Sequence, residues 1–128
     1  MKWLRRDSHP IMHFGLCLSE ADFRKELKRL KVKEAVPFLG SPHSNGTTHF
    51  LINKGKEIAI VCIAPSSSVP AVEVYGLLIH EAVHIWRAHC DSIGEKAPSA
   101  EFECYGIQHI ATQLIAAYMD SAKKKGKK

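Results

Sequence analysis

The stretch Leu77–Trp86, LLIHEAVHIW, constrains this chain more than any other. It holds His80-Glu81-Ala82-Val83-His84 inside an apolar run, and no Pro or Gly interrupts Leu77 to Arg87, so the spacing predicts a helix. Positions four apart on a helix lie above one another on one face. His80 and His84 could therefore offer two imidazole nitrogens to one metal ion. Glu81 would stand beside that ion and could take a proton from its bound water. An H-E-x-x-H pattern of this kind is the core of a zinc-dependent hydrolase. The competing reading is a core helix with two hydrogen-bonded histidines. Two His and a Glu among Leu, Ile and Val need partners that satisfy them, and a metal ion is such a partner.

Composition bounds the rest. At 128 residues the chain fits one compact domain, expected over residues 1–122, with an ordinary 45% hydrophobic content. The longest apolar runs, Ile58–Pro65 and Val74–Ile79, are too short to span a bilayer, so no membrane role is expected. Met1–Asp7 has basic residues but no apolar segment after them, which argues against a signal peptide and for a cytoplasmic protein. Cys17, Cys62, Cys90 and Cys104 are widely spaced with no C-x-x-C pair. They read as free thiols, mostly buried, with a Cys-based zinc site as the alternative. The 18 Lys and Arg include five lysines at 123–125, 127 and 128; the other 13 balance the 13 Asp and Glu. Residues 123–128 thus read as a disordered, solubilising tail, able at most to add weak, non-specific attraction to nucleic acid.

In chain order, residues 1–15 show no clean period and read as an irregular arm. Ser19 suits a helix N-cap, with Glu20 and Asp22 in the first turn and Phe23, Leu27, Leu30 and Val32 on one face. This predicts an amphipathic helix over about 20–34 with a solvated basic face. Gly40–Gly46 is rich in turn formers. Thr47–Ile52 and Glu57–Ala64 read as strands of a hairpin closed by Asn53-Lys54-Gly55-Lys56. The second strand is apolar on both faces and so expected to be covered. The motif helix is expected over about 70–89, and Ser99 is the N-cap of a last helix to about 121, with Ile107, Ile110, Leu114 and Ala117 on one face.

Two histidines leave a catalytic zinc one protein ligand short. No third His follows at metzincin spacing. The candidates are Glu101 and Glu103 at the start of the last helix, because the loop joining the two helices is short. Glu103 lies in line with Ile107, Ile110 and Leu114; a metal on Glu101 would have Cys104, Tyr105 and Gln108 one turn on. Either acid could instead serve the helix dipole.

H-E-x-x-H followed by a helix bearing a Glu ligand resembles the gluzincins, in particular the small minigluzincins and the regulatory peptidases of bacteria and phage. Their second helix often reads E-x-x-A-[ND]. Glu101-Phe102-Glu103-Cys104-Tyr105 is similar, with Cys104 in the small position and Tyr105 in place of Asn or Asp. The resemblance covers about residues 47–119. It implies an α+β, zincin-like fold: a hairpin or small antiparallel sheet packed with the H-E-x-x-H helix and a Glu-bearing C-terminal helix. It implies zinc on His80, His84 and Glu101, and a second hairpin strand, Ile58–Ile63, that lines a cleft and pairs with an extended protein or peptide substrate. The expected activity is a metallopeptidase with Glu81 as general base. Tyr105 is the first candidate for a donor to the oxyanion, ahead of His109 and Tyr75. His43, His49 and His89 are expected at the surface. The alternative is a catalytically inactive zinc-binding regulatory protein on the same scaffold.

Overall fold

The computed structural model describes residues 1–4, 11–41 and 44–126, with side chains to Lys124. The fold is α+β, with two compact units, Met1–Pro70 and Ala71–Lys128.

The first unit is a four-stranded sheet with one helix. Strands β1 (Lys2–Trp3), β2 (His13–Cys17), β3 (Gly46–Asn53) and β4 (Lys56–Ile63) stand in the order β1-β2-β4-β3. The sheet is mixed, correcting the expected antiparallel one: β2 and β4 run parallel, and the other two pairings are antiparallel. The β3–β4 hairpin follows its turn chemistry. Lys54 and Gly55 both take positive φ, 52° and 79°, the backbone of a two-residue turn that suits the right-handed twist of the strands. Asn53 pairs with Lys56 across it.

Two expectations fail here. The arm at residues 1–15 contains β1 and the start of β2, although residues 5–10 lie outside the described residues. In β2, Phe14, Gly15, Leu16 and Cys17 are all buried, so an interior strand with both faces covered leaves no alternation to read. At Gly15 the chain of β1 passes close: a Cβ there would displace the end of the Met1 side chain and press on the Lys2 carbonyl. The second failure concerns β4. It is buried from Ile58 to Ile63, as its two apolar faces predict, but β2 and β3 occupy both of its edges. Its backbone has no free edge for an extended substrate.

Helix α1 (Glu20–Arg29) begins as expected, with Asp22 N–H donating to the Ser19 hydroxyl at 3.2 Å. It is shorter than the sequence suggests. Leu30 caps it, Lys31 turns left-handed at φ 60°, and Val32 N–H reaches back to the Leu27 carbonyl at 3.0 Å. Phe23 and Leu27 pack with Cys17, Phe38, Ile60 and Cys62 in one core cluster. Glu26 ties β1 to α1 by accepting from Trp3 Nε1 at 2.9 Å, and it also pairs with Arg29. Burial works against the Glu26 carboxylate, but the hydrogen bonds from Arg29 and Trp3 prevail and hold it below the usual range. His49, expected at the surface, is half-buried: its ring stacks on Phe23 at 4.8 Å and its Nε2 lies 2.9 Å from the Phe38 carbonyl. His43 lies outside the described residues.

The second unit is a pair of long helices, α2 (Ala71–Ile93) and α3 (Ala100–Gly126). Helix α2 runs a turn past its expected end. It closes with Glu95 N–H on the Cys90 carbonyl and Gly94 N–H on the Asp91 carbonyl, a Schellman arrangement. Ser99 caps α3 as expected, its hydroxyl accepting from Phe102 N–H at 3.3 Å. Helix α3 continues through Lys123–Lys125, where the sequence suggests a disordered tail. Lysine forms helix readily, and cations suit a helix C-terminus. Lys127 and Lys128 lie outside the described residues. No helix among the described residues is long and apolar enough to cross a membrane.

Candidate metal centre on helix α2

The buried positions of α2 are Val74, Leu78, Glu81, Ala82, Ile85, Trp86, His89 and Cys90. They recur every three or four residues, so one stripe of the helix is covered. His80 and His84 fall off that stripe and are exposed. Burial is therefore not what calls for a partner to these imidazoles. Their mutual geometry is more telling. The two Nε2 atoms stand 3.2 Å apart, with ring centroids at 5.0 Å and planes at 64°. Two nitrogens at about 2.0–2.1 Å from one tetrahedral zinc would be roughly 3.3–3.4 Å apart. The separation is close to that value, and it is equally that of a hydrogen bond in which one imidazole donates to the other.

Glu81 lies on the buried stripe at 4% exposure. It is engaged with neighbours, since no buried side-chain oxygen or nitrogen among the described residues lacks a hydrogen-bond partner. One residue from His80, it stands at the edge between the covered and the open faces.

The α2–α3 contacts decide where the two acids go. Trp86 Nε1 donates to Glu103 Oε1 at 3.2 Å, and Arg87 Nη2 pairs with the same oxygen at 2.9 Å. The Trp86 ring meets Phe102 edge-on at 5.0 Å. It also lies against Gly106, where any Cβ would overlap the indole. Further up the helices, Tyr75 and Tyr118 make an edge-to-face contact at 6.2 Å. These pairings fix an antiparallel register in which Glu101 is level with the His89 turn. At 1.5 Å per residue that is about 7 Å beyond His84 along the axis. With 3.6 residues per turn, His80 and His84 also lie roughly 120–160° round α2 from Trp86, the side that meets α3. The structure brings His80 and His84 together; it holds Glu103 against Trp86 and Arg87 and leaves Glu101 exposed and apart from the pair. Among the described residues no three His, Cys, Asp or Glu side chains are grouped to hold a metal ion.

The remaining candidates fall on α3 or deeper in α2. Tyr105 is 66% exposed. His109 is half-buried, with its Nε2 2.7 Å from Gln113 Nε2, and Tyr75 is engaged with Tyr118. His89, expected at the surface, is buried with its ring 5.8 Å from that of Trp86, and burial lowers its pKa. Burial, then the nearby Glu103 charge, pushes the Cys90 thiol up. Cys104 is exposed. Sequence reasoning passed over Trp86 and Gly106 as the contact that sets the helix register. A glycine inside a helix is only a weak signal of close approach, since Gly76 in α2 has nothing packed against it while Gly106 meets Trp86.

Comparison with known protein families, with curated proteins and with solved structures finds no match for this chain.

Proposed function

We propose that the chain is a zinc-dependent metallopeptidase of gluzincin type, with zinc held by His80, His84 and Glu101. The observation that carries this reading is the 3.2 Å separation of the His80 and His84 Nε2 atoms on an open helix face. Bound there, zinc would polarise a peptide carbonyl and acidify a water molecule. His80 and His84 would hold it through Nε2. Glu81 accepts the proton of the attacking water and returns it to the leaving amine. Tyr105 would donate to the developing oxyanion. For Glu101 to reach the pair, α3 must slide along α2 or the last turns of α2 must open.

That requirement favours a second reading, a zinc-binding regulatory protein without catalysis. Glu103 is already committed to Trp86 and Arg87, and the stripe that buries Glu81 turns it towards the core.

Zinc content and peptide hydrolysis separate the readings. The purified protein is expected to hold about one zinc per chain, lost in His84→Ala. Glu81→Gln should keep the zinc and abolish hydrolysis of an unstructured protein such as casein. Zinc without hydrolysis in the parent chain would select the regulatory reading. No zinc in either protein, after zinc has been offered, would remove both.

A further inference from the structure

Two cysteines far apart in the sequence stand side by side in the sheet. Cys17 and Cys62 are register partners on the parallel strands β2 and β4. Neighbouring strands lie about 4.8 Å apart, within the roughly 4.4–6.8 Å between Cα atoms that a disulfide spans. Both side chains are wholly buried and point to the same face, in the cluster built on Phe23, Leu27, Phe38 and Ile60. Cys62 hydrogen-bonds to the Cys17 sulfur, and the Cys17 thiol donates to the Ser19 carbonyl at 3.6 Å, a bond that is given up when Cys17 ionises. Cys17 is the last residue of β2 and Cys62 the last but one of β4, so the pair sits at one end of the sheet.

We propose that Cys17 and Cys62 form an oxidation site, a dithiol that a small peroxide, admitted when this end of the sheet opens locally, converts to a disulfide across β2 and β4. Cys17 is the attacking sulfur. The hydrogen bond from Cys62 is the largest influence on it and lowers its pKa despite burial, whereas burial raises that of Cys90. The Cys17 thiolate attacks one peroxide oxygen; the S–O bond forms, the O–O bond breaks, and the departing hydroxide takes a proton to become water. The Cys62 sulfur then attacks the sulfenic sulfur of Cys17. The S–S bond forms, the S–O bond breaks, and the oxygen leaves as a second water carrying the Cys62 proton. Two thiols have lost two hydrogens and two electrons, and the peroxide has been reduced to two waters. The link encloses α1 and β3 in one loop. The oxidised chain is therefore harder to unfold.

Trypsin separates the four cysteines onto four peptides, because Arg24, Lys56, Arg87 and Lys96 lie between them. The full chain is treated with hydrogen peroxide, denatured in an alkylating reagent and digested, with Cys104→Ser used throughout to prevent exchange. The expected product joins the Cys17 and Cys62 peptides at a mass two hydrogens below their sum, with Cys90 alkylated. The melting midpoint should rise by on the order of 10 °C and fall back on adding dithiothreitol. Cys62→Ala should abolish the rise; where that variant does not fold, the peptide map decides alone. Cys17 and Cys62 both alkylated after treatment, or Cys17 oxidised to its sulfinic acid without a link, would overturn the proposal. The outcome is the same with or without a chelator, so it stands apart from the zinc reading.

Discussion

Gly106 shows how one missing atom governs a contact. Its Cα faces the Trp86 ring, and the indole fills the space a side chain would take. Gly106→Ala adds helix propensity, yet it must push Trp86 away and strain the hydrogen bond to Glu103. Overpacking of this kind destabilises by roughly 1–3 kcal/mol. Chemical denaturation should show a lower midpoint for the variant; an unchanged or higher one would mean that the indole yields freely. The same residues explain what could be read in advance about the site. His80 and His84 meet because they are four apart on one helix, a purely local relation, and that relation was legible. The partner of Glu103 depends on the register between two helices, which Trp86 and Gly106 set together. No spacing within either helix reveals it.

Elements divide along a similar line. The β3–β4 hairpin was legible because Asn53–Lys56 carries its turn chemistry in four consecutive residues, and the Ser19 and Ser99 caps were legible for the same reason. Strand β2 was not, since five residues covered on both faces give no period. Nor was the early end of α1, because Lys31 adopts a left-handed turn for which its side chain offers no signal. That end can be tested. A non-glycine residue in this conformation is strained by roughly 1–2 kcal/mol, which glycine relieves at some cost in unfolded-state entropy. Lys31→Gly should therefore gain roughly 1 kcal/mol in urea unfolding. A loss of stability would mean that the Lys31 side chain contributes more than its backbone gives up.

For the whole molecule the informative variable is linkage between ligand and folding. A metal that binds only the folded chain stabilises it by about 2.7 kcal/mol at a free concentration one hundred times Kd. Thermal melting with added zinc should show a rising midpoint for the parent chain and none for His84→Ala, while magnesium, which prefers oxygen donors, should leave both unchanged. Equal shifts in parent and variant would move the binding away from the His80–His84 pair. The division at Pro70 bears on the outcome, because the pair belongs to α2, in the helical unit, while the sheet belongs to the other unit. Calorimetry can therefore ask whether zinc raises one unfolding event or all of them.

Strand β4 has a partner on each side and is covered on each face. Dissolved in heavy water, a chain built this way gives up its amide protons in an order set by local opening. The amides of Ile58–Cys62 should be the last to turn to deuterium, and those of the final turn of α3 among the first. A mass spectrometer following peptides over hours would then trace the sheet from its outer strands inward, with β4 as the slow remnant that reports global unfolding.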